Sequence, residues 1–230
     1  MKSARALLVV LSSLVVSPLL HAGLTPGHFI LQDLDGQARG ESWMSISTGT
    51  FNEKPVTVVE ILRERKIPRF FGSDKISQKD LAYIDDAGLA YFKRNTLEKG
   101  EATVIEGRRE NGMITMWVTK GEKRLSAGVP LSSMDMSEFE MELPRSKFNG
   151  MKLNEGRRAQ VLFVDSLSVK TAVRNVNERK TVPWGDGEAT IFVINTNVEG
   201  NVATSWFDAK NKNLLREQGL ESVLIREERK

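Results

Sequence analysis

The chain has no cysteine. That excludes a disulfide framework, thiolate zinc sites, iron–sulfur clusters, thiol nucleophiles and lipid attachment to a processed amino-terminal cysteine. Histidine is nearly as scarce, with 2 in all, His21 and His28. An excess of one charge is also missing. The 33 basic residues face 30 acidic ones, and the two kinds are interleaved, as in Arg63-Glu64-Arg65-Lys66 and Arg226-Glu227-Glu228-Arg229-Lys230. Nucleic-acid binding needs a concentrated basic face, so no nucleic-acid partner is expected.

Only one long apolar run is present, from Ala6 to Leu20, broken by Ser12, Ser13, Ser17 and Pro18. Lys2 and Arg5 precede it, and the small residues Ala22 and Gly23 follow. This is the pattern of a secretory signal peptide over residues 1–22, cut after Ala22. The run is shorter than the roughly 20 residues that span a bilayer, so no stable membrane span is expected after processing. The expected location is the periplasm, reached by secretion across the inner membrane. Removing Lys2 and Arg5 from the 33 basic residues leaves 31 against 30 acidic, a net charge of +1. His21 leaves with the leader, and His28 is then the only histidine.

What the chain does have is short apolar–polar alternation separated by glycine-containing turns, the signature of antiparallel β-structure. Phe29 to Leu34, the Asp35-Gly36 pair and Ala38 to Ser47 read as a hairpin. Glu101 to Arg109, Asn111-Gly112 and Met113 to Thr119 read as another. Further strands are expected at Val56 to Arg63, Leu89 to Arg94, Arg158 to Val164, Ser168 to Val176, Glu188 to Asn195, Val202 to Phe207, Asn213 to Gln218 and Val223 to Arg226. Helical signals are few: a short helix capped by Ser77 and running through Gln78-Lys79-Asp80-Leu81, and another from Asp135 or Ser137 to Leu143, stopped by Pro144. The expected fold is mainly β, a strongly curved antiparallel sheet forming an open half-barrel under one or two short covering helices. Residues 23–230 are expected to form one domain, with an internal seam at 130–153.

From Gly156 onward, the strand Arg158 to Val164, two further strands, Trp206-Phe207-Asp208, a turn and Leu214-Leu215-Arg216 follow in order. With Asp35-Gly36-Gln37-Ala38-Arg39-Gly40 and Trp43, this order resembles secreted bacterial β-sheet proteins of a domain-of-unknown-function class. The resemblance implies a curved sheet around a helix, similar in shape to periplasmic lipoprotein carriers, and it implies no enzymatic activity.

Catalytic motifs are missing as well. Serine hydrolysis of the triad kind needs a histidine shuttle, and His28 lies near the new amino terminus, where a partly exposed structural role is expected. Neither Gly-x-Ser-x-Gly nor Ser-x-x-Lys occurs in the mature chain. Asp165, Glu188 and Asp208 lie at strand edges where carboxylates could serve a glycosidase, but turn formation accounts for Asp165 and Asp208. Asp33-Leu34-Asp35-Gly36 opens like a calcium loop, yet its twelfth position is Met44 rather than glutamate. Gly185-Asp186-Gly187 lacks the third glycine of a dinucleotide loop. Met113, Met116, Met134, Met136 and Met141 are better placed for adaptable packing than for copper. No metal, cofactor or catalytic residue is therefore expected.

Aromatic residues supply the candidate site. Trp43, Trp117 and Trp206, each on or beside an expected strand, could line a sheet that receives an acyl chain or a flat apolar group. Trp184 lies in a comparable position. Phe70 and Phe71, in an expected loop, could form a lid over it. The leading functional expectation is a non-enzymatic periplasmic binding or carrier-like protein that holds an apolar small molecule or lipid in the concave side of the sheet. Alternatives are an envelope scaffold that meets another protein along a sheet edge, and a carboxylate-dependent hydrolase of cell-wall or polysaccharide material.

Overall fold

A computed structural model of the chain describes residues 26–68, 73–220 and 222–227. Fifteen strands form one sheet. In chain order they are β1 (Gly27–Gln32), β2 (Ala38–Phe51), β3 (Lys54–Pro68), β4 (Ser73–Asp85), β5 (Gly88–Glu98), β6 (Glu101–Glu110), β7 (Met113–Lys120), β8 (Lys123–Pro130), β9 (Met136–Ser137), β10 (Gly156–Phe163), β11 (Ser168–Trp184), β12 (Gly187–Val198), β13 (Asn201–Asp208), β14 (Leu214–Gln218) and β15 (Val223–Arg226). Their spatial order is β8-β7-β6-β5-β4-β3-β2-β1-β15-β14-β13-β12-β11-β10-β9. All pairings are antiparallel except that of β9 with β10.

Most neighbours are hairpins, because the connecting residues accept positive φ. Asn111 and Gly112 sit at φ 50° and 75° between β6 and β7, the mirror-image turn whose twist matches that of the flanking strands. Asp33 shapes the β1–β2 connection by accepting the backbone amides of Asp35 (3.1 Å) and Gln37 (2.9 Å) on its carboxylate.

The expected strongly curved, open half-barrel under one or two short covering helices is overturned. The sheet is open, with β8 and β9 ending the order unpaired to each other, and no α-helix occurs among the described residues. The helix expected after Ser77 is the middle of β4, where Ile76, Gln78, Asp80, Ala82 and Ile84 alternate inward. Period two wins there because β3 and β5 hydrogen-bond β4 from both sides, so the local cap signal is overridden by sheet pairing. The second expected helix, from Asp135 or Ser137 to Leu143, reduces to the two residues of β9 and a single 3₁₀ turn, Glu138–Glu140. Ser137 and Glu140 do form a capping box at the latter, but nothing beyond one turn follows before Pro144. Among the described residues no helix is long and apolar enough to cross a membrane.

The 130–153 region is what fills the middle of the molecule. Phe139 and Leu143 join the main apolar cluster with Val59, Ile61, Ile84, Phe92, Ile114 and Met116. Met136 and Met141 join a second cluster with Phe148, Val161 and Phe163. The connector thus lies between two cores and contributes to both. The methionines are divided the same way, with Met116 and Met134 in or against the first cluster and Met136 and Met141 in the second.

Candidate functional site

Two features stand out, one on the surface and one buried. The first is a groove on the face of β1–β4. His28, Trp43, Leu62 and Lys79 are successive cross-strand partners on β1, β2, β3 and β4. They share one face because each pairing sets side chains opposite one another. Trp43 and Leu62 are each 38% exposed, an unusual degree for adjacent large apolar side chains on a solvated sheet face. They border a cavity of about 1010 Å³ completed by Pro26, Ser45, Glu60, Arg226 and Glu227.

Trp43 is held by His28, whose ring lies parallel to it at 4.8 Å between centroids. His28 is itself fixed from both sides: Nε2 lies 3.0 Å from Glu41 and Nδ1 contacts Glu227. Both ring nitrogens of His28 thus meet carboxylates while its face stacks on the tryptophan.

The other aromatic candidates are not brought to this groove. Trp117 on β7 is five strands from Trp43 and Trp206 on β13 is four strands away in the other direction, so at about 4.8 Å per strand they are roughly 20 Å or more distant along the sheet. Trp117 carries Arg124 over its ring at 5.7 Å. Trp206, packed with Ile191, Val193 and Leu215, carries Arg216 at 4.9 Å. Both rings are thus covered by guanidinium groups. Phe70 and Phe71 lie outside the described residues.

The second feature was not anticipated from the sequence. On β5, Arg94 is 1% exposed and donates Nε to Asp80 Oδ1 at 2.7 Å and Nη2 to Asp80 Oδ2 at 2.8 Å, a bidentate fork to its cross-strand partner on β4. Its Nη2 also reaches Glu138 Oε1 at 3.3 Å, and its Nη1 lies 2.5 Å from Asp165 Oδ1. Gln78 donates to both Asp80 oxygens at 3.1 and 3.0 Å. Arg63 Nη1 approaches Asp80 at 3.7 Å, and the Val164 amide donates to Glu138 at 3.1 Å.

Two guanidiniums therefore face three carboxylates. Burial would lower the Arg94 pKa, but Asp165, Asp80 and Glu138 hold it well above its ordinary value. Burial pushes Glu138 up to about 7 against the pull of Arg94. A related pair lies in the second core. Arg174, 1% exposed, meets Glu142 at 2.5 Å and Thr196 at 3.1 Å and lies 4.7 Å over the Phe148 ring, and burial raises Glu142 to about 7.

The three carboxylates considered for glycosidase chemistry do not converge. Asp165 belongs to the Arg94 cluster in the β10–β11 turn, whereas Glu188 and Asp208 lie at the opposite end of those strands. Asp208 accepts the Lys210 amide at 2.6 Å, a turn role. Among the described residues no group of three or more histidine, aspartate and glutamate side chains is arranged to hold a metal ion.

No family model and no curated protein matches the chain. Among solved structures it is similar to a β-barrel-like protein of the domain of unknown function DUF1849 from Brucella abortus. The TM-score is 0.55 at 10% identity, covering 90% of this chain and 99% of that one. At that identity the likeness concerns the fold.

Proposed function

We propose that the protein is a non-enzymatic binding protein of the periplasm that holds a small apolar or acyl ligand in the Trp43 groove. The observation that supports this is the exposed Trp43–Leu62 pair beneath a cavity of about 1010 Å³, at the upper end of the size range of small-molecule sites. The interior face of the sheet supports it less, since Phe139 and Leu143 pack into that apolar layer. Lys79 has no partner among the described residues and borders the apolar floor, so it is available to orient a polar end of a ligand. Export follows from the leader reading, and amino-terminal sequencing of the protein from its host should begin at Gly23.

The test is calorimetric titration of the purified protein with dodecanol, alongside native mass spectrometry after gentle extraction. Trp43→Ala should weaken binding about 30-fold, the ~2 kcal/mol of a hot-spot tryptophan. Equal binding by wild type and Trp43→Ala, or bare protein in the mass spectrum with no uptake of dodecanol, overturns the proposal.

A second reading, an envelope scaffold that recruits a partner by strand addition, is favoured by β8, which pairs with β7 alone and leaves its other edge open. Lys123, Arg124 and Pro130 on that strand are residues that guard free edges, so strand addition ranks below the groove. Cross-linking in the intact envelope should recover one stoichiometric partner if this reading holds.

A further inference from the structure

The connector between the amino-terminal strands and β10 is attached by two buried acid–base contacts of unequal charge balance. At one point Glu142 faces Arg174 of β11, one carboxylate to one guanidinium. At the other, Glu138 enters a site already occupied by Arg94 of β5, Arg63 of β3, Asp80 of β4 and Asp165 of the β10–β11 turn. There the carboxylates outnumber the guanidiniums by one when all are ionised, and the cluster is neutral when Glu138 carries a proton. Asp165 is 42% exposed, whereas Glu138 is 6% exposed and Asp80 fully buried, so the surplus is most costly at Glu138, where burial removes the water that would screen it.

Glu138 also sits where a small movement would matter. Its neighbour Phe139 is fully buried, with its ring 6.1 Å from that of Phe92 and 5.8 Å from the Arg94 guanidinium. Phe139 and Leu143 fill the main apolar cluster while Met136 and Met141 fill the second. Only two residues of β9 tie this stretch to the sheet by strand pairing. Weak backbone attachment combined with deep side-chain burial gives a segment that moves as a unit when its burial becomes unfavourable.

We propose that Met136–Leu143 is a proton-operated latch: with Glu138 protonated it stays seated between the two cores, and with Glu138 ionised its Glu138 end lifts, uncovering the apolar layer beneath Phe139, while Glu142 keeps the other end on Arg174. The direction follows from linkage. Burial raises the Glu138 pKa in the seated state, so the seated state binds more protons than the lifted one. Its advantage is fully present below the ordinary glutamate value and is lost as pH rises through neutrality. The Glu138 amide and carboxylate are then released together with Phe139, and the uncovered surface is hydrocarbon rather than polar.

Hydrogen exchange read by mass spectrometry on the full mature chain tests this, comparing pH 5.5 with pH 8.5 after correction for intrinsic rates. The β11–β12 hairpin serves as internal reference. In the wild type, amides of 136–143 should exchange at least ~10-fold faster at pH 8.5, a ~1.4 kcal/mol change in opening. Glu138→Gln, which keeps the shape of the protonated acid, should lose the pH difference at the amides of 136–140, and Glu142→Gln, which acts at the other end of the segment, should keep the wild-type response there. A wild type with no pH difference in this segment overturns the latch. So does a response that survives Glu138→Gln, or one that disappears only in Glu142→Gln.

Discussion

Replacing Arg94 by methionine would test whether the buried ionic cluster is an integral support of the fold. The side chain is 1% exposed, and Asp80, its bidentate partner, is fully buried. Methionine has similar length and fills the space, so the loss is electrostatic. It strands Asp80, Glu138 and Asp165 with Arg63 as the nearest remaining guanidinium, 3.7 Å from Asp80. Removing one partner from a buried ion pair costs about 3–5 kcal/mol, because the other charge stays desolvated and unmatched. For a domain of this size each kcal/mol lowers Tm by about 2–4 °C, so Arg94→Met should melt about 6–20 °C below wild type by calorimetry at pH 7. A second variant separates charge from packing. Adding Asp80→Leu and Glu138→Gln to Arg94→Met removes most of the stranded charge and should recover at least about half of the lost stability. If Arg94→Met loses less than ~1 kcal/mol, or the triple variant is less stable than the single one, the cluster is not balanced as argued.

Two further outcomes are expected. Asp135 receives Lys147 Nζ at 2.5 Å and the Gln160 amide at 2.8 Å. The lysine, then the amide, hold its carboxyl below the usual carboxylate value, so its contribution is present above about pH 4 and vanishes as pH falls through the folded value. Urea unfolding should find Asp135→Asn less stable than wild type at pH 6, by a margin that narrows as pH falls below about 4. Gly107 lies opposite Phe92 across β5 and β6, and a Cβ there would run into the ring of that fully buried residue. Gly107→Ala should therefore cost about 1–3 kcal/mol of overpacking, measured by the shift in urea midpoint.

Much of the sheet can be read from the chain because alternation is local. Met113 to Thr119 shows it openly, with Ile114, Met116 and Val118 inward, and Asn111-Gly112 marks the turn before it. β4 is harder to see. Its inward positions include Gln78 and Asp80, which break the apolar half of the pattern and, beside Ser77 and Lys79, imitate a capped helix. The reason Asp80 is inward is Arg94, and that pairing exists only once β4 and β5 are in register. No spacing within either segment encodes it, and Glu138 reaches the same point from 44 residues further along. Of the candidate site, Trp43 is placed on the groove, but its neighbour Leu62 and its brace His28 depend on registers of β1, β2 and β3 that residue order alone does not state. The second covering helix fails for a related reason: Asp135 and Ser137 suggested caps, whereas Phe139, Leu143, Met136 and Met141 are each claimed by one of two separate cores.

The position of β1 carries a consequence for how the molecule comes into being. It is the eighth of fifteen strands in space, and its two neighbours are β2 and β15, with Phe29 opposite Ser42 on one side and Arg226 on the other. The first described strand is thus flanked by the last, and that contact closes a loop running from Phe29 to Arg226. A pairing of such separation forms late, after the local hairpins on either side of it.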